Sequence, residues 1–111
     1  MPVSIEKEIV EYQKAEKQLQ AVMAQRLQFE MQLKEIENAL NELERAKGDV
    51  YKAAGGIMIK TTKEDALKDL NEKKELITVR LKSLKEQEEK LKNNLMRLAK
   101  KLEDELKNAG G

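Results

Sequence analysis

The chain has 111 residues, 39% of them charged and only 3% aromatic, which leaves little material for a globular core and matches the composition of long helices and coiled coils. The formal net charge is +1 with both signs interspersed, so no strong field favours nucleic acid or an anionic lipid surface. Cysteine and histidine are absent, which removes disulfides, thiolate or imidazole metal sites and the commonest nucleophile and general base, and argues against a compact enzyme.

The first residues, Met1 to Val10, reach Glu6 without an apolar signal-peptide core, and no apolar run approaches the roughly 20 residues that span a bilayer. A cytoplasmic protein with no membrane partner is expected. Between Ile5 and Leu43 a seam recurs at alternating spacings of three and four: Tyr12, Ala15, Leu19, Val22, Arg26, Phe29, Leu33, Ile36, Leu40, Leu43. That spacing places one stripe along a helix. With Ser4 as N-cap and Gly48 as the residue just past the end, the helix is predicted over about 5–47.

The segment 49–61 breaks the helical period. Two β-prone runs, Val50 to Ala53 and Ile57 to Lys60, flank a turn containing Gly55 and Gly56, which predicts a β-hairpin. An isolated two-stranded hairpin is marginal in water. Ile57, Met58 and Ile59 are consecutive and point to alternating faces, a pattern that suits a strand covered on both sides. Val50, Tyr51, Ile57, Met58 and Ile59 are therefore candidate oligomerisation residues, set against the alternative of a hairpin folded back on its own helices.

The second half repeats the first seam: Leu67, Leu70, Lys74, Ile77, Leu81, Leu84, Glu88, Leu91, Leu95, Leu98, Leu102. Thr61 with Glu64 reads as a capping box, and the helix is predicted over about 62–108, each helix being roughly 65 Å long at 1.5 Å per residue. Two stripes joined by a short insert bury each other most easily as an antiparallel pair. The register that suits the insert sets Leu43 by Leu67, Leu40 by Leu70, Phe29 by Leu81 and Tyr12 by Leu98. It brings the charged interruption in the middle of each seam, Arg26 and Glu88, into neighbouring layers, as a lock on register or as two side chains reaching out to solvent.

The run Val50-Tyr51-Lys52-Ala53-Ala54-Gly55 followed by Ile57-Met58-Ile59-Lys60 resembles the single hairpin of beta-type prefoldin subunits. Gln18-Leu19-Gln20, Asn38 to Leu43, Val79-Arg80-Leu81 and Gln87 to Leu91 are similar to the family's helices. The resemblance covers nearly the whole chain, its specific part being a hairpin between two long heptad helices. It implies a mainly α fold, a long antiparallel two-helix coiled coil with a β-hairpin inserted between the helices, in one beta-type domain over 1–111. Hairpins of several subunits would assemble into a β-barrel platform for a hexamer of two alpha-type and four beta-type subunits. The resemblance further implies a holdase chaperone of the archaeal type, without nucleotide, cofactor or metal, that captures unfolded client proteins at its arm tips and passes them to a group II chaperonin.

Both chain ends would lie at the tip. Val3, Ile5, Ile9, Val10 and Tyr12 stand near one terminus and Leu98, Leu102 and Leu106 near the other. Ile9, Val10 and Leu106 fall off the strict seams, which leaves them partly exposed for non-directional contact with unfolded chains. Ile5, Ile9, Val10, Leu102 and Leu106 are the candidate client-binding residues, whereas Tyr12 and Leu98 zip up the helix ends. Met23, Leu27 and Met31 read as ordinary surface apolar groups. A scaffolding coiled coil without chaperone activity is the rival reading, which the two-faced hairpin argues against. Lysines such as Lys82 and Lys85 are offset by Glu86, Glu88 and Glu89, so no uncompensated face for RNA arises.

Overall fold

A computed structural model of the chain describes the backbone of residues 3–110 and the side chains of residues 5–110. Four elements follow in order: α1 (Val3–Arg45), β1 (Val50–Ala54), β2 (Ile57–Thr61) and α2 (Lys63–Gly110). Two long helices with an antiparallel hairpin between them are what the seams and the β-prone insert predict. Among the described residues no helix is long and apolar enough to cross a membrane.

The element ends depart from the sequence-based expectations. α1 already includes Val3 and Ser4, so Ser4 lies inside the helix rather than at its cap, and its side chain is outside the described residues. The helix stops at Arg45, before Gly48, and positive φ is confined to Gly55 and Gly56 among the described glycines, so Gly48 is not a left-handed terminator. Instead the Lys63 ammonium donates to the Glu44 carbonyl at 3.1 Å, supplying one orphan carbonyl of the last turn with a cation. At the start of α2 the cap is Thr62, whose hydroxyl accepts from the Asp65 amide at 3.0 Å. Thr61, predicted for that role, is paired with Val50 as the last residue of β2.

The hairpin closes through a two-residue turn, Ala54 pairing with Ile57 across Gly55 (φ 55) and Gly56 (φ 85). Positive φ at both central residues is the type I′ geometry whose twist matches that of the strands, and glycine enters it without strain.

The chain forms two compact units. One, Gln28–Leu81, holds the hairpin and the helix segments on either side of it. Its seam residues are all buried or half-buried, with Ile36, Leu43 and Leu81 deepest. Its helix segments run antiparallel, since Gln32 and Ile36 line one groove with Lys73 and Ile77 while Glu44 meets Lys63. The other unit comprises α1 up to Leu27 and α2 from Lys82, again antiparallel, with Ile5, Ala15, Leu84 and Leu98 buried. A two-stranded seam leaves most of its leucines half-buried, so each contributes roughly 1 kcal/mol, below the ~1.5–3 kcal/mol of full burial.

Candidate functional site

Cross-strand pairing sorts the hairpin into two faces. Val50 and Thr61, Lys52 and Ile59, and Ala54 and Ile57 share one; Tyr51 and Lys60, and Ala53 and Met58, share the other. Tyr51, Ile57, Met58 and Ile59 are all exposed, Met58 at 65%, so each face carries uncovered apolar groups. Val50 is half-buried. Beneath β1 lies an open cavity of ≈ 530 Å³ lined by Ala39, Leu43, Ala54, Ala66 and Leu70, so the strand does not close down on its own helices. The polar anchors are loose: Lys52 reaches Asp69 at 3.7 Å and Lys60 reaches Asp49 at 3.6 Å, all four side chains being about half exposed or more.

At the chain ends the candidate client residues divide. Ile9, Val10 and Leu106 are exposed, Val10 at 62%. Ile5 is only 2% exposed and Leu102 is half-buried, so these two sit in the seam, while the other three are open. Their placement follows from the heptad: counting back from Tyr12 by three and four reaches Ile5, and Leu102 continues the spacing from Leu98. The side chain of Val3 lies outside the described residues. Leu27 and Met31 are exposed and Met23 half-buried, while Leu76, Val79 and Met96, which heptad reading did not single out, are also exposed.

Arg26 and Glu88 meet as a fork. The guanidinium donates from Nε to Oε2 at 2.8 Å and from Nη2 to Oε1 at 3.2 Å, with side chains 20% and 8% exposed. Lys92, one helical turn on, comes within 3.9 Å of the same carboxylate.

A second charged layer escaped the sequence reading. Glu8, 6% exposed, receives the Lys101 ammonium on Oε1 at 2.6 Å, while its Oε2 is buried without a hydrogen-bond partner. Glu105, half-buried one turn beyond Lys101, also has a buried Oε2 without a partner. Burial, then the charge of Glu8, then the hydrogen bond to Glu8 that a proton on Glu105 makes possible, hold the Glu105 carboxyl above the ordinary value of 4.5, against the pull of Lys101. The hydrogen bond to Glu8 and then its charge hold Lys101 above 10.5, against burial. The signal was present in the chain: four residues before Tyr12 stands Glu8, and three after Leu102 stands Glu105, both on the extended seams.

Two long polar helices, facing each other antiparallel within each unit and joined by a hairpin with uncovered apolar groups on both faces, define a class: two-helix proteins that carry an exposed β-hairpin between the helices. The chain belongs to the prefoldin subunit family, whose model matches residues 6–109, and within it to the beta type. It is 40% identical to the prefoldin subunit beta of Archaeoglobus fulgidus, across 100% of this chain and 97% of that protein. With the corresponding subunit of Pyrobaculum neutrophilum it shares 35% identity over 96% of this chain and 86% of that one. The crystal structure of the prefoldin beta subunit from Thermococcus strain KS-1 matches with a TM-score of 0.86 at 34% identity, covering 95% of this chain and 94% of that one. The beta2 subunit of the same strain, at 21% identity and a TM-score of 0.74, shares the fold. The chain is thus a subunit of a chaperone family that assembles with other prefoldin subunits, and that family is not one of enzymes.

Proposed function

We propose that the whole chain acts as one beta-type domain of a cytoplasmic holdase, which captures non-native proteins without ATP and delivers them to a group II chaperonin. Four copies join two alpha-type subunits through a platform of hairpins, with Val50, Tyr51, Ile57, Met58 and Ile59 at the contacts. The observation that carries this reading is the hairpin itself. A two-stranded sheet with two open edges and apolar groups uncovered on both faces is unstable as a free surface, and pairing with other hairpins satisfies both edges and faces. Clients are held by Ile9, Val10 and Leu106, whose exposed apolar surface gives weak, non-directional and readily released contacts.

Mixing the chain with an alpha-type subunit tests the assembly: the expected result is a complex of hexamer mass that suppresses aggregation of a denatured client. A Met58→Lys, Ile59→Lys variant should lose that mass, and equal masses for the variant and the wild-type chain would overturn the platform. Removing the last dozen residues should leave the mass unchanged and weaken suppression; full suppression by the truncated complex refutes the assignment of client contact to the helix ends.

A further inference from the structure

We propose that Glu8 and Glu105 share one proton, and that this proton works as a latch on the end of the helix pair, closing it when bound and loosening it when released. Glu8 is more than nine-tenths buried, its Oε1 is taken by Lys101 at 2.6 Å, and its Oε2 faces the interior with no partner. Glu105, one turn beyond Lys101 on α2, carries a second buried oxygen without a partner, and its carboxyl feels the charge of Glu8. Two carboxylates with one ammonium leave one uncompensated negative charge, with one buried oxygen on each carboxylate. As carboxylates neither oxygen has a proton to donate; a single proton on Glu105 turns the repulsion into an O–H donated to Glu8. Glu8 acts on Glu105 from α1 and Lys101 from α2, while Lys101 in turn feels Glu8, Glu105 and Glu11.

The sign of the pH dependence follows. Glu105 sits above its ordinary value of 4.5 in the folded chain, so it binds its proton more tightly folded than unfolded. Its stabilising contribution is full below about pH 4.5 and is lost as the pH rises through the raised value. What loosens is the layer that buries Ile5 and half-buries Leu102, which lie beside the exposed Ile9, Val10 and Leu106 in sequence. Once the pH passes the raised value, the released latch therefore uncovers two more apolar side chains at the place proposed to grip clients; acidification withdraws them. That last consequence rests on the chaperone reading, whereas the latch itself does not.

Hydrogen exchange on the full chain, followed at the amides of residues 5–9 and 102–107 and corrected for intrinsic rates, tests it over a pH series that starts near 4.5 and rises through the raised value of Glu105. Local opening of the wild-type chain should rise with pH by at most about tenfold per unit, the limit for one proton. Glu105→Gln, whose amide donates to Glu8 at every pH, should hold the end closed with no such slope. Glu8→Gln should shrink the slope without abolishing it, since the burial of Glu105 remains, and it weakens the end throughout by taking the partner from Lys101. Parallel slopes in all three proteins overturn the latch. Aggregation suppression by the same proteins supplies the second reading: the wild type should act more strongly at the upper end of that pH series than at its lower end, and Glu105→Gln equally at both. If exchange separates the proteins while suppression does not, the latch stands and the client assignment of these ends falls.

Discussion

Two charged layers interrupt the seam of the unit that carries the chain ends, and they are built differently. Arg26 and Glu88 match one planar cation to one carboxylate through two hydrogen bonds, at 2.8 and 3.2 Å, with further support from Lys92. The layer of Glu8, Lys101 and Glu105 sets two carboxylates against one ammonium and leaves two buried oxygens unpaired. A fork that satisfies both partners can sit in a seam as a fixed part of it. An unbalanced triad stores repulsion, and its equilibrium with water is set by a proton. The comparison teaches that a polar residue at a seam position has no single meaning: its partners decide whether it fixes the helix pair or loosens it.

Arg26→Ala breaks the balanced layer and should have the largest effect. It leaves the Glu88 carboxylate, 8% exposed, facing Lys92 at 3.9 Å, and the loss should be about 3 kcal/mol in urea denaturation. Replacing both members, Arg26→Leu with Glu88→Leu, should instead raise stability by about 1–2 kcal/mol, because leucine fills the layer without the desolvation of two charges. The pair serves as a register lock if that more stable variant gives a heterogeneous assembly with an alpha-type subunit. A single homogeneous complex from the double variant would reduce the pair to a tolerated interruption.

The meeting of Arg26 with Glu88 was legible in the sequence because apolar seam residues flank both of them, Val22 and Phe29 on α1 and Leu84 and Leu91 on α2, and fix the layer. Every residue of the two predicted seams is buried or half-buried in its unit, and the two strands lie where the β-prone runs stand. The triad was missed because the seams were followed only between Tyr12 and Leu43 and between Leu67 and Leu102, while the same spacing carries on through Glu8 and Glu105. Lys101 lies beside the seam rather than on it, so only the antiparallel register could pair it with Glu8. Helix ends were the other weak point. Thr61 and Thr62 are chemically equal candidates, and the choice fell to Thr62 because the strand pairing of Thr61 with Val50 claims the first. Gly48 invited a glycine terminator, yet α1 stops earlier, where a cation from the next helix, Lys63, can reach its carbonyls.

Lys101→Met should destabilise the helix end, by less than Arg26→Ala, because the ammonium is about half exposed and the end can relax toward water. Its signature is pH rather than size. Lys101 lies above 10.5 in the folded chain, so its contribution is full below 10.5 and lost as the pH rises through the raised value. Thermal denaturation of the wild type should therefore show an alkaline loss that Lys101→Met lacks. Adding Glu105→Gln to Lys101→Met should recover part of the stability near neutral pH, since it removes one of the two carboxylates the lysine was compensating. An additive double variant would mean that Glu105 does not feel the charge of Lys101.

Lys92→Ala should have the smallest effect and gives the sharpest control. Its ammonium stands 3.9 Å from the Glu88 carboxylate, as an i,i+4 pair with the lysine side chain 56% exposed. Glu88 already accepts two hydrogen bonds from Arg26, so Lys92 adds charge at a distance and in contact with solvent. A pair of that kind contributes about 0.3 kcal/mol and fades as salt is raised. A loss as large as that of Arg26→Ala would show that net charge near Glu88, rather than the two-bond fork, stabilises the layer. The contrast with the triad would then lie in the number of cations and not in their geometry. A small, salt-sensitive loss places the difference in the fork, where the planar guanidinium satisfies both oxygens of one carboxylate while a single ammonium leaves two other oxygens bare.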